Sequence, residues 1–503
     1  MWFDRSTLRP LRDYQADLKA KLDEKLASGS KRIMIQGPCG FGKTLTAAHI
    51  IADFVEKGQR VCFVAPRLTL IDQSVKAFED EGFGMSIGVI QGSHAMTDYD
   101  AMVQVASLQT LTRRKLPEIN AFIVDEAHMT SNAFLTLVER YKGIPFIGLS
   151  ATPWRAGLGR TYDSLIVAET TQGLINRGFL TPFKTFAPAP PIDLSKVKVL
   201  STGDYNQGQL AEAVNKKEIV GDIVRHWLKL GEDRQTICFC VDREHAKHVQ
   251  QRFLEAGVAA GYVDCFTEDK DRQKLISDFR NGDIRVICNV GVLTTGFDAP
   301  EASCMIDAAP TRSLILHVQK TGRVLRTAPG KENALILDHA GNTLSLGIVT
   351  DITRTDMCDG SADSRAKRKE LEKQDPKPRL CPECKTVVGH HRDDCPECGH
   401  VFKRFSTVIA SDGYLVERGK PSAGSPAGDI VKDQRIAFYG ELRAYGFNKG
   451  YKEGWAANQY KNRFGSWPND PAVRYAPPMP PTLETLNWIK AQQIAWSRSQ
   501  LRG

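Results

Sequence analysis

Residues 37–44 read Gly-Pro-Cys-Gly-Phe-Gly-Lys-Thr, and no other stretch limits the fold of this chain as tightly. The spacing G-x-x-x-x-G-K-[ST] demands a strand before it and a helix after it, because its amides close around a phosphate only where a strand end meets a helix start. Both flanks are present: the apolar run Ile33-Met34-Ile35 leads in and a helix-forming stretch, 45–55, follows. Gly37, Gly40 and Gly42, with Pro38, Cys39 and Phe41 between them, form the predicted anion cradle. Lys43 is expected to reach the β- and γ-phosphates of a nucleotide, and the Thr44 hydroxyl to coordinate Mg²⁺.

A second segment supplies the partner acids. Asp125-Glu126-Ala127-His128 follows Ala121-Phe122-Ile123-Val124, a short apolar run that reads as a buried parallel strand ending at the carboxylates. Sites in open α/β sheets lie at such strand ends. Asp125 is placed to hold Mg²⁺, and Glu126 to polarise an attacking water as general base.

Alternation of apolar strand-like runs with helical patterns extends over 32–164 and again over 235–338, which predicts two α/β domains with mostly parallel sheets. Strands are expected at Ile33, 61–65, 87–90, 103–106, 122–124 and 146–149 in the first, and at 236–240, 261–263, 286–289, 303–306 and 334–337 in the second. The resulting division is 1–165 and 166–352 for the two domains, with 353–380 as a linker or exposed helix, 381–402 as a metal ribbon and 403–503 as an accessory region. A less regular stretch runs through the Pro-rich turn at 187–191 to about Asp222. A length of 503 residues accommodates this plan.

No apolar run is long enough to span a bilayer, and no N-terminal signal pattern is present, so the cytoplasm is the expected compartment and a membrane partner is not expected. Eight of the twelve cysteines are scattered or lie in strand-like runs (Cys62, Cys238, Cys240 and Cys288 among them), as buried thiols do.

The second half carries Leu293-Thr294-Thr295-Gly296-Phe297-Asp298 after a strand, and Gln319-Lys320-Thr321-Gly322-Arg323-Val324-Leu325-Arg326 within a predicted helix and its exit. Phosphoryl transfer gains most from positive charge set against the transferring group. Arg323 and Arg326 are three apart, so on a helix they share a face.

The ordered set resembles a superfamily 2 helicase with a D-E-A-H box. Arg12 and Gln15, in Leu11-Arg12-Asp13-Tyr14-Gln15, resemble the adenine-recognising motif. Ala65-Pro66-Arg67 and Ser107-Leu108-Gln109-Thr110 resemble two strand-contacting motifs, and Ser150-Ala151-Thr152 the motif linking hydrolysis to movement. Gly296 and Asp298 resemble the motif that touches nucleic acid and ribose, and Gln319, Arg323 and Arg326 the one that reaches the γ-phosphate. The resemblance implies two RecA-like domains with ATP and Mg²⁺ between them, closure completing the site, and nucleic acid held through phosphate contacts from Arg67, Gln109, Thr110 and Thr295. Lys320 departs from the pattern, since an arginine often follows the glutamine.

Cys381, Cys384, Cys395 and Cys398 form C-x₂-C-x₁₀-C-x₂-C, four thiolates suited to a closed, structural, tetrahedral Zn²⁺ site. His390, His391 and His400 are read as surface residues. Net charge is +8 overall, and from residue 401 onward fifteen Lys and Arg face eight Asp and Glu, so the excess concentrates at that end. Such asymmetry suggests a polyanion partner. Aromatic and basic residues interleave over 435–467, either as the core of a small helical domain or as stacking faces for bases.

The order of motor, ribbon and extension, with residues 292–300 and 335–342, resembles the bacterial RadD branch and its phage-borne relatives. This implies an ATP-dependent DNA helicase or translocase of repair, recombination or phage DNA metabolism, in a bacterial or phage-infected host cytoplasm; the tail after Phe405 does not match that branch, so the expected repair or single-strand-binding protein partner is not carried over from it. An RNA helicase, or a nucleotide-gated clamp or remodeller that hydrolyses ATP without separating strands, remains open from the residues themselves.

Overall fold

A computed structural model of the chain describes residues 3, 5–65, 67, 70–111, 113–114, 116–129, 131–188, 192–200, 203–214, 217–294, 297, 299–374, 377–402, 426–452 and 454–500. Pro66, Thr295, Gly296 and Asp298 lie outside the described residues. Residues 1–404 form one unit and 405–503 another.

In the larger unit the first sheet has seven strands: β1 (Arg32–Gln36), β2 (Val61–Ala65), β3 (Ile87–Ile90), β4 (Val103–Ser107), β5 (Ala121–Asp125), β6 (Phe146–Ser150) and β7 (Ser164–Val167), in the order β3-β4-β2-β5-β6-β1-β7. Every pairing is parallel. Parallel pairs need crossovers, and crossover helices cover both faces, so each residue of β2, β4 and β6 is buried and apolar alternation is absent. Because Gln36 pairs with Ser150 and Val124 with Gly148, the loops leaving β1, β5 and β6 emerge side by side.

The second sheet contains β8 (Phe183–Phe186), β9 (Thr236–Phe239), β10 (Ala260–Val263), β11 (Val286–Asn289), β12 (Cys304–Asp307) and β13 (Ala334–Asp338), ordered β10-β11-β9-β12-β13-β8 and again parallel. These are tandem RecA-like domains, as the motif order implied. Strands β7 and β8 escaped the sequence reading because each is a four-residue edge strand, largely half-buried, without an apolar run to announce it. The stretch read as irregular up to Asp222 contains a helix, Gln207–Val214, and the start of another, Lys217–Leu230.

Four helices position the chemistry: α1 (Asp13–Ala27), α2 (Lys43–Glu56), α3 (Leu314–Gly322) and α4 (Ala362–Gln374). Helix α3 stops at Gly322, with Arg323 as its cap, so the expectation that Arg323 and Arg326 share a helical face is corrected. Arg326 instead pairs with Leu180 in an antiparallel bridge.

Residues 353–374, read as a linker, return to the first domain. Gln36 Nε2 donates to the Arg354 carbonyl (2.8 Å), and the amides of Gly157 and Gly159 donate to that of Cys358 (2.9 and 3.1 Å). Arg368, on α4, donates to the Trp154 carbonyl at 2.5 Å. The ribbon pairs β14 (Arg379–Leu380) with β15 (Val387–Val388) and is fastened to the second domain by a Phe186–Thr386 bridge and a 2.8 Å Lys184–Glu397 ion pair.

The smaller unit holds α5 (Pro426–Asn448), α6 (Trp455–Phe464), α7 (Pro471–Arg474) and α8 (Leu483–Gln500). Phe438, Tyr439, Leu442, Tyr460, Val473, Ala476 and Ile489 are its core. Among the described residues no helix is long and apolar enough to cross a membrane.

Candidate nucleotide and metal sites

The loop from β1 to α2 holds its shape through glycine. Gly40 and Gly42 have φ of +90° and +89°, left-handed values that favour a residue without a Cβ. A Cβ on Gly42 would stand 2.4 Å from Gln15 Nε2, and one on Gly37 2.5 Å from the Phe41 ring. Phe41 is wholly buried, a plug beneath the loop rather than a nucleotide contact. Its carbonyl accepts from Tyr14 Oη (2.7 Å) and Gln15 Nε2 (3.0 Å), while Gln15 Oε1 accepts from the Arg12 amide (3.0 Å). Gln15 is therefore buried and fastens the phosphate loop to α1. The Arg12 guanidinium lies over the Phe179 ring, 4.2 Å from its centre.

Asp125 ends β5 and Glu126 turns away from it with φ +46°, a left-handed conformation that costs a non-glycine residue about 1 kcal/mol. The Lys43 ammonium is hydrogen-bonded to Glu126 Oε1 and stands 3.2 Å from Asp125 Oδ1. Burial works to lower the Lys43 pKa, yet the two carboxylates outweigh it and hold it above the ordinary lysine range. Burial pushes Asp125 up, with the Glu126 charge adding to it, whereas Lys43 and His128 overcome burial and hold Glu126 down. Glu126 Oε2 is buried without a hydrogen bond, 3.4 Å from His128 Nδ1.

His128 joins three motifs. Its Nδ1 lies 2.9 Å from Ser150 Oγ at the end of β6, and its Nε2 faces the Gln319 amide of α3 at 3.3 Å. Burial keeps this imidazole below the ordinary histidine range. A neutral ring that accepts from Gln319 at Nε2 donates from Nδ1 toward Ser150, so the histidine two residues beyond Glu126 touches both domains.

The second domain brings two arginines to the cleft in different ways. Arg323 is 8% exposed and donates to the carbonyls of Thr294 (2.6 and 3.1 Å) and Phe297 (2.8 Å), clamping the loop that follows β11. Arg326 runs opposite the phosphate loop, where a Cβ on Gly40 would lie 3.6 Å from its Cγ, and burial lowers its pKa. Gly322 permits the approach, since a Cβ there would meet that of Cys39 at 2.3 Å. Lys320, the departure from the family pattern, is buried in a 2.6 Å ion pair with Asp307.

These groups enclose a cavity of about 580 Å³ lined by Lys43, Thr44, Asp125 and Glu126 on one side and by Arg323 and Arg326 on the other. The volume suits a nucleotide. Left-handed glycines, an ammonium, a hydroxyl and paired acids, one with an orphaned oxygen, fit ATP with Mg²⁺. Of the expected strand-contacting residues, Arg67 is exposed, and Thr110 Oγ1 pairs with Ser107 Oγ at 3.0 Å. The sequence reading missed Tyr14 and Phe179, and only the place of Tyr14 beside Gln15 hinted at either.

The four ribbon thiols lie within 4.8 Å of one another, with Cys381 to Cys398 at 3.6 Å and Cys384 to Cys395 at 3.5 Å. Sulfurs 2.3 Å from a tetrahedral zinc stand about 3.8 Å apart. The cluster can therefore hold Zn²⁺.

Comparison with known proteins accords with this geometry. Residues 9–155 match the family of the type III restriction enzyme res subunit, and 215–328 the helicase conserved C-terminal domain. A Lactococcus phage protein described as a 51.5 kDa protein is 32% identical over 77% of this chain and 83% of its own length. A Saccharomyces cerevisiae protein assigned as the ATP-dependent helicase IRC3 is 29% identical over 68% of this chain, which spans 52% of that relative. Among solved structures, a fragment of a type I restriction enzyme HsdR subunit from Vibrio vulnificus aligns with TM-score 0.53 and 20% identity, covering 71% of this chain and 69% of the fragment. The two matched domains, the phosphate loop and the acids beside it place this chain among the superfamily 2 helicases, as an ATP-hydrolysing enzyme.

Proposed function

We propose that the enzyme is a DNA motor, a helicase or translocase that couples ATP hydrolysis to movement on DNA in repair, recombination or phage DNA metabolism, as the RadD-type branch does. The observation that carries this reading is the contact from His128 to Gln319. It links the residue beside the general base to the opposite domain, so turnover and domain position are coupled through one imidazole.

In this scheme Lys43 and the loop amides hold the phosphates, and Thr44 and Asp125 would hold Mg²⁺, which when bound neutralises charge on the β- and γ-phosphates. Glu126, kept ionised by Lys43, accepts the proton of the attacking water. Arg326 faces the phosphate loop and supplies positive charge opposite Lys43. Arg323 reaches the same cavity while tying the 294–297 loop to it, so that loop follows the nucleotide. Arg67, Gln109, Thr110 and Thr295 would meet a strand through its phosphates, independently of base sequence. The restriction-enzyme names carried by the matched family and by the HsdR fragment favour DNA over RNA.

Measuring ATP turnover alone, with single-stranded DNA, with branched DNA and with RNA, then strand displacement on the preferred ligand, tests this. DNA is expected to stimulate turnover. Stimulation by RNA alone would exclude the DNA assignment, and none by any nucleic acid would exclude the motor.

A further inference from the structure

The aromatic residues of the smaller unit divide into two populations. Tyr439 and Tyr460 are core, and Tyr445 and Trp455 stack on each other with ring centres 5.7 Å apart. Phe447 and Tyr475, by contrast, are 86% and 74% exposed. The chain segments that carry these two rings are joined through Arg443. Arg443 precedes Phe447 by one turn of α5, and its guanidinium donates to the Ala476 carbonyl at 2.5 Å, immediately after Tyr475. The α5 C-terminus closes with Gly450 at φ +67°, and the Gly450 amide bonds back to the Phe447 carbonyl at 3.1 Å, so the backbone beneath Phe447 is fixed.

Among the described residues the exposed charges that flank these rings in sequence are positive: Lys449 and Lys452 follow Phe447, and Arg474 precedes Tyr475, while Glu453 lies outside those residues. Among the described residues, the acids of the unit are engaged or distant. Asp470 pairs with Lys432, Glu484 with Arg463, and Glu441 accepts from Thr482, while Asp433 lies far back along α5. Aromatic faces ringed by cations suit one partner above others, an unpaired strand whose bases stack while its phosphates meet lysine and arginine.

We infer that Phe447 and Tyr475, with Arg474, Lys449 and Lys452, form an accessory site for single-stranded DNA. This rests on the DNA-motor reading above and adds to it a second point of attachment outside the motor domains. Its chemistry is stacking plus phosphate neutralisation, so it takes any sequence.

The test uses the full chain without nucleotide and the fluorescence anisotropy of a labelled oligothymidylate, compared with a blunt duplex and an oligouridylate of equal length. Phe447→Ala with Tyr475→Ala is expected to weaken oligothymidylate binding about tenfold or more, with an unchanged thermal midpoint, while Phe447→Trp retains it. Wild-type binding that the double variant leaves intact would overturn the inference. Patch-dependent preference for oligouridylate would overturn its assignment to DNA. A wild-type chain that binds no nucleic acid at all would instead remove the motor reading itself.

Discussion

Lys43 faces two carboxylates at once, and each residue is legible in the sequence because its role depends on spacing within a single loop. Lys43→Ala is expected to lower ATP turnover by at least about a hundredfold while leaving nucleic-acid binding largely in place, since one preorganised charge is worth that much at a transferring phosphoryl group. Steady-state hydrolysis and strand binding measured side by side check it. Gln319 is different, because its significance lies in a neighbour 191 positions away that no spacing rule indicates. Gln319→Ala leaves His128 Nε2 buried without its partner, and kcat for ATP is expected to fall about tenfold with a smaller change in KM. Wild-type kcat in that variant would uncouple this contact from chemistry. Arg323 was legible as a cation lining the cleft but not as a clamp on two carbonyls, which becomes visible only once the helix is seen to stop before it.

At the level of elements, the phosphate loop is held by α1 as much as by its own sequence. Gly42→Ala would force a Cβ into Gln15 at a left-handed φ, an expected cost of about 1–3 kcal/mol in unfolding free energy. In a Gln15→Ala background the clash disappears and only the backbone strain persists. A double-mutant cycle should then show coupling on the order of 1 kcal/mol, and strict additivity would mean the side chain is not what the glycine accommodates. The cysteine ribbon was legible from spacing alone, since four thiolates in two knuckles leave few alternatives. Elemental analysis of purified protein is expected to give about one zinc per chain, and chelation to lower the thermal midpoint; a metal-free protein of equal stability would exclude the site. The edge strands β7 and β8 were not legible, because four half-buried residues carry too little pattern.

For the whole molecule, buried histidines set how stability responds to pH. Burial takes His317 down to about 4 and His339 down to about 3, the latter with help from His226, whose ring centre is 5.2 Å away. The unfolded chain protonates both near pH 6.5, so stability falls as pH drops below that value, until the folded-state pKa values are reached. Asp338, pushed up to about 6 by burial and by Asp307, acts oppositely: its contribution is full below about pH 3.8 and is lost as pH rises through about 6. Between pH 7 and 5 two imidazoles outweigh one carboxyl, for a net loss of about 2 kcal/mol. Thermal melts across that interval should show falling midpoints, and His339→Gln should flatten the slope. Midpoints that rise toward pH 5 would contradict the burial of these rings.

The path of residues 353–374 gives the second domain two attachments to the first. The chain enters it through the 168–182 crossing and leaves it along a segment moored at Gln36, at Gly157 and Gly159, and at Trp154. A body tied at one point can swing in any direction, whereas one tied at two turns only about the line joining its ties. With both moorings kept, cleft opening in this protein is a rotation about a single axis, and any wider motion must first break the bonds that hold Cys358 against Gly157 and Gly159.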